Sequence, residues 1–218
     1  MSIDHVLVND RRKGDFRKAP AQQRSKDRIE TILRSAEDLI EAGDPKAFTT
    51  RALSAAAGVP VGSIYQSFST LEAIVEFLVL RRQAAFREHL VQVIGGATDV
   101  SSLQAMLPTL INAWRVHIAQ SRVYGRMLSG PGSIDTFVDL DLNESHQVAQ
   151  LATTMLRHLF AKQDEHIVSS AAFFLCDMIG AAARTATRLE ADKAEMHLEH
   201  LTKMCGAFLR SLADEDQG

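Results

Sequence analysis

The chain has 218 residues, 46% of them hydrophobic and 23% charged, enough for one sizeable core or for a small domain joined to a larger one. There is no uncharged apolar run of about 18 residues, and the leading MSIDHVLVND lacks a basic-then-apolar layout, so neither a membrane span nor a signal peptide is expected. The net charge of −3 hides an asymmetry: Arg11 to Arg28 holds eight Lys/Arg against two Asp, whereas residues 87–218 hold 11 Lys/Arg against 16 Asp/Glu. Such a basic front suits polyanions, and equally a solvated tail. Cys176 and Cys205 have no metal or redox spacing and read as small buried hydrophobes, which fits a cytoplasmic location.

Residues 1–23 show no periodicity and read as a flexible basic arm. From Arg24, Ile29, Ile32, Leu33, Ala36, Leu39 and Ile40 recur at three- and four-residue steps, predicting an amphipathic helix that Gly43 and Pro45 end. Acidic Asp27, Glu30, Glu37 and Asp38 on its outer face weigh against a basic helix lying on a membrane. Thr49 or Thr50 caps a short helix through Ala57, Gly58 supplies a left-handed stop, and Pro60 precedes a helix of about two turns, Val61 to Ser67. Ser69 or Thr70 caps a longer one through Ile94, with Leu71, Ile74, Val75, Leu78, Phe86 and Leu90 inward, until GGATD breaks it. Helical patterns continue over 101–119, 121–128, 133–161, 165–189 and 193–213, with SGPGS at 129–133 as the clearest loop. No strand-like alternation and no internal repeat occurs, so the expected fold is all-α with about nine helices.

Two short helices joined by a glycine-containing turn have the layout of a helix-turn-helix. Leu53, Ala56, Ile64 and Phe68 are expected to pack the pair on the first helix, leaving Val61, Gly62, Ser63, Gln66 and Ser67 outside. Small residues at the start of the second helix allow close approach to a groove floor. Gln66 suits a base edge and Ser63 a base or phosphate. The Tyr65 hydroxyl suits a phosphate oxygen, and Thr50 and Arg51 sit where free N–H groups favour an anion. The plainer alternative is a helical hairpin inside a larger bundle.

The segment Gln22 to Ile74 resembles the DNA-binding domain of the tetracycline-repressor (TetR) family. The likeness rests on Ile32 and Ala36 in the first helix, on FTTRALS, and on AGVPVGSIYQSF through the turn and second short helix; it covers about a quarter of the chain. The resemblance implies an N-terminal three-helix DNA-binding domain (24–70) followed by a ligand-binding and dimerisation domain (71–218). It implies a homodimer on a palindromic operator, with Thr50 and Tyr65 on phosphate and Arg51, Gly62, Ser63 and Gln66 facing bases or backbone. Many members carry a lysine where this chain has Leu71, so that phosphate contact is absent or replaced, and the basic arm is a candidate substitute.

In the C-terminal body, Trp114, His117, Tyr124, Met127, Phe137, His146, Phe173, Phe174, Asp177 and Met178 are candidate walls of a small-molecule cavity, each with ordinary core packing as its alternative. His117, His146 and Asp177 stand out because a buried polar group needs a partner. Small residues between Ala171 and Ala183, together with Met196, Leu201, Met204, Phe208, Leu209 and Leu212, suit a two-fold interface through 165–189 and 193–213, or a purely internal contact. The HLEH run at His197 to His200 places two histidines on one helical face, but no further metal ligand is marked. No nucleophile triad, phosphate loop or cofactor fingerprint stands out. The reading is a small-molecule-responsive DNA-binding repressor without catalytic activity or cofactor; the competing reading is an all-α enzyme or carrier built on the C-terminal cavity.

Overall fold

The structure, a computed structural model, describes residues 19–125 and 133–216. These form eight helices and no strand: α1 (Ala19–Glu41), α2 (Thr50–Ala57), α3 (Val61–Ser67), α4 (Leu71–Ile94), α5 (Val100–Gly125), α6 (Ser133–Leu159), α7 (Glu165–Ala186) and α8 (Ala191–Asp216). The all-α expectation holds, with two boundary changes. α1 begins at Ala19 rather than Arg24, since Pro20 is tolerated in a first turn and the residues after it are good helix formers. The patterns at 101–119 and 121–128 belong to one helix, α5, which runs through Ser121 and also contains Pro108. Part of the 121–128 stretch, and residues 1–18 of the basic arm, lie outside the described residues.

The chain divides into two compact units, one built on residues up to Ala84 together with the segment from Val123 to Ile134, the other on Ala85–Arg122 with Asp135 onward. In the first, the predicted stripe of α1 is buried at Ile29, Ile32, Leu33, Ala36 and Ile40, while Leu39, at its edge, is half-buried. α2 packs on α1, and α3 on α2. Ile74, Val75, Phe77 and Leu78 of α4 join this core, so the unit reaches past the residue-70 boundary that the resemblance implies. Phe68 meets Phe77 edge-on at 6.1 Å. Arg81 reaches back to α1, 3.0 Å from Glu30 and 2.9 Å from Glu37. Burial alone would lower the pKa of that guanidinium, but the two carboxylates more than offset it and hold it above its ordinary value.

The second unit is a bundle of the end of α4 with α5 to α8, around Phe86, Leu90, Leu107, Trp114, Leu156, Phe160, Leu175 and Leu209. α7 packs along α8. Asp164 caps α7, accepting the His166 N–H at 2.7 Å. At Asp99, ahead of α5, the Ser102 backbone and hydroxyl groups hold the carboxyl below its ordinary pKa. At Gly180 of α7 the helices approach closely: a methyl group there would stand 3.3 Å from the Trp114 ring, which would have to shift by a few tenths of an ångström. Arg87 pairs with the buried Glu144. Contrary to the expectation of no membrane span, α7 is long and apolar enough to cross a membrane by length and composition, but half of that stretch is buried, as in a core helix.

Candidate nucleic-acid interface and internal cavity

The α2–α3 pair is built by local chemistry. Thr49 accepts the Ala52 N–H at 3.2 Å and so caps α2, settling the choice between Thr49 and Thr50. Gly58 sits at φ 64°, a left-handed conformation costly for any residue with a Cβ, and its N–H bonds back to the Ser54 carbonyl. The Ser54 hydroxyl donates to the Val59 carbonyl at 2.6 Å, tying the turn to α2. Pro60 then opens α3 with its fixed φ, and the Ser63 N–H bonds the Pro60 carbonyl at 2.8 Å. Leu53 and Ile64 anchor the two helices inward, and Phe68 follows at the end of α3. Ala56, expected inward, is exposed: on an eight-residue helix the stripe is too narrow to bury it with Leu53.

What remains outside is the opposite face of α3. Tyr65 is 53% exposed and Val61 40%. Gly62 and Gln66 are exposed, Ser63 and Ser67 half-buried. A Cβ added at Gly62 meets nothing within 4 Å. The Tyr65 hydroxyl lies 3.3 Å from the Thr50 hydroxyl, so these two polar groups form one cluster at the N-terminus of α2. Arg51 is exposed beside them. α3 itself carries no charged residue. Leu71 is half-buried at the start of α4 and offers no cation, and Thr70 caps that helix through the Ala73 N–H at 3.1 Å.

The second unit holds an apolar pocket of about 60 Å³, lined by side chains of α4, α5, α6, α7 and α8. Of the wall candidates whose side chains are described, only Trp114 lines it. His117 is buried but stacks on Phe86, ring centres 4.1 Å apart. Met178 is half-buried on α7, outside the lining. Phe173, Phe174 and Asp177 are exposed, because the inward stripe of α7 is Ala172, Leu175, Cys176 and Ile179. His146 is exposed on α6, 5.4 Å from the Phe173 ring. Met127, and the side chains of Tyr124 and Phe137, lie outside the described residues. Leucines at inward helical spacing line the pocket instead. A wider groove of about 620 Å³, between α5 and the start of α8, is lined by Asn112, Arg115, Glu195, Glu199 and Lys203 among others. Among the described residues, no three His, Cys, Asp or Glu side chains gather as a metal site, His197 and His200 included.

Leu201, Cys205, Leu209 and Leu212 of α8 face the unit's own core, whereas Met196 and Met204 are exposed. Ile167, Phe173 and Phe174 of α7 are exposed as well, and Phe174 meets Phe208 of α8 at 5.3 Å.

Residues 32–78 match the family described as bacterial regulatory proteins, tetR family. No curated protein matches the chain in sequence. Among solved structures it is similar to a TetR-family transcriptional regulator from Streptomyces coelicolor, at 22% identity, covering 85% of this chain and 99% of that one, with a TM-score of 0.57. It is similar to the TetR-family repressor AlkX from Dietzia sp. strain DQ12-45-1b, implicated in n-alkane biodegradation, at 15% identity, 84% and 97% coverage and a TM-score of 0.55. It is also similar to the transcriptional regulator FadR from Bacillus subtilis, solved with stearoyl-CoA, at 16% identity, 83% and 97% coverage and a TM-score of 0.50. At such identities these likenesses speak to the fold. The chain thus carries the helix-turn-helix domain of the tetR family at residues 32–78, within the fold of TetR-family transcriptional regulators.

Proposed function

We propose that the protein is a transcriptional repressor acting in the cytoplasm as a homodimer, released from a palindromic operator by a small molecule. The observation that carries this reading is the open outer face of α3, where Val61, Gly62, Tyr65 and Gln66 are exposed on a helix anchored by Ile64. Each subunit would lay that face in a major groove, Gln66 and Ser63 toward base edges, Gly62 allowing close approach, and Val61 and Ser67 alongside. Tyr65, Thr50 and Arg51 would hold phosphate.

The exposed apolar side chains of α7 and α8, Ile167, Phe173, Phe174, Met196 and Met204, support a dimer through these helices. The cavity of the second unit is the proposed effector site. Effector binding would favour a dimer whose α3 helices no longer match grooves about 34 Å apart, a coupling of roughly 1–3 kcal/mol. An enzyme or carrier would have no use for the exposed Tyr65–Gln66 face. The test is fluorescence anisotropy of a labelled duplex from upstream of the gene, titrated with the whole chain at two salt concentrations. Saturable binding that weakens with salt is expected; absent or salt-insensitive binding removes the proposal.

A further inference from the structure

We infer that α3 reads A·T pairs and no G·C pair: a thymine methyl group against Val61 and, about two base pairs along, an adenine edge on Gln66. This deepens the repressor reading and rests on it. None of the residues of α3, VGSIYQS, is charged. Guanine presents two acceptors, N7 and O6, in the major groove, and the side chains that match both are arginine and lysine; α3 has neither. Arg51 stands on α2, where the repressor reading gives it to phosphate.

Most other side chains of the helix are engaged within the protein. Ile64 is buried. The Ser67 hydroxyl donates to the Ser63 carbonyl at 3.4 Å, and the Tyr65 hydroxyl lies 3.3 Å from that of Thr50. Ser63 is half-buried, and a hydroxyl suits either kind of base pair, so it selects neither. Val61 and Gln66 remain, both exposed, to either side of Gly62. The Gln66 amide matches adenine, its N–H donating to N7 and its oxygen accepting from the N6 amino group. Val61 is 40% exposed and carries no polar side-chain atom, so it gains only by covering apolar surface. The apolar group on a major-groove floor is the 5-methyl of thymine. Five residues separate Val61 from Gln66, about 7.5 Å along the helix, or roughly two base-pair steps of about 3.4 Å. Valine reaches little beyond the backbone, and the bare Gly62 between the two lets the helix come close enough for it.

The test selects duplexes from a random-sequence pool with the full-length protein, with Val61→Ala and with Gln66→Ala. The unaltered protein should enrich a palindrome in which the pairs whose preference each variant relaxes are A·T. The contacts are then removed from the DNA side, which leaves the fold of the protein untouched. Uracil in place of the thymine lacks only the 5-methyl group; it should weaken the unaltered protein by about four-fold and Val61→Ala no further. 7-Deazaadenine in place of the adenine lacks the N7 acceptor; it should weaken the unaltered protein by about five-fold or more and Gln66→Ala no further. A G·C pair at either relaxed position, or equal losses in the unaltered protein and the variant from either base analogue, overturns the inference. Should a variant not fold, the analogues still decide on the unaltered protein: no loss with any single uracil, or with any single 7-deazaadenine, overturns it as well. A pool that enriches nothing removes the repressor reading and this inference together; an enriched palindrome with G·C at those positions removes this inference alone.

Discussion

Gly62→Ala separates the stability of the fold from its proposed use. Gly43 and Gly58 are the positive-φ glycines, so Gly62 already has a backbone that alanine adopts. The added methyl meets nothing within 4 Å. The protein therefore loses no contact, and α3 gains helix propensity of about 0.5–1 kcal/mol, or a rise of about 1–4 °C in Tm for a chain of this size. At DNA the sign reverses. If α3 lies with its backbone close to the groove, the methyl must push the helix outward and loosen the contacts of Ser63 and Gln66 together, at a cost of about 1–3 kcal/mol. Operator affinity should fall about 5- to 150-fold, measured by anisotropy beside a thermal melt of the same preparation. Unchanged affinity with a raised Tm would refute the close approach; a lowered Tm would refute the claim that the site is open.

Tyr65→Phe removes the hydroxyl 3.3 Å from Thr50 and should weaken binding to all duplexes alike, by about 1.5–3 kcal/mol if it holds a phosphate; a sequence-dependent loss would contradict that role. Gln66→Ala should relax preference at one base position, by about 1–3 kcal/mol, read from a panel of single-substitution operators. Gly58→Ala forces a Cβ into the left-handed region with no clash to relieve, so chemical denaturation should show a loss of about 1–2 kcal/mol from backbone strain alone. Cys176 titrates from about 12 in the fold against 9.0 for a free thiol. Its proton is thus bound more tightly in the folded state, so its contribution to stability is complete below pH 9 and declines as pH rises from 9 toward 12. Stability measured across that window should fall less steeply in Cys176→Ala, and a thiol reagent at pH 8 should leave Cys176 unlabelled until denaturant is added.

The α2–α3 pair was readable because its signals are local. A threonine cap, a left-handed glycine and a proline act within a few residues, and each does here what its chemistry dictates. Exposure of Gly62, Tyr65 and Gln66 followed from helical phase once Ile64 was placed inward. The cavity was harder. Phe173 and Phe174 are large enough to suggest a cavity wall, yet two adjacent residues on a helix point about 100° apart, and the stripe through Ala172, Leu175, Cys176 and Ile179 leaves both outside. Leucines mark an interior face without saying which gap between helices stays unfilled; that depends on how five helices pack, which no local pattern encodes. The start of α1 was missed for the opposite reason: residues 19–23 lack an apolar stripe, so periodicity had nothing to detect.

The absence of charge on α3 bears on how such a protein would search a chromosome. Grip on arbitrary DNA comes from cations displacing counterions at the phosphates, and a neutral segment adds nothing to it. Such grip would come from Arg51 and the basic residues ahead of α2, and discrimination would fall on the uncharged contacts of α3. Tethering two such segments raises the effective concentration of the second once the first has landed, so lasting occupancy would require both halves of a target to be correct at once.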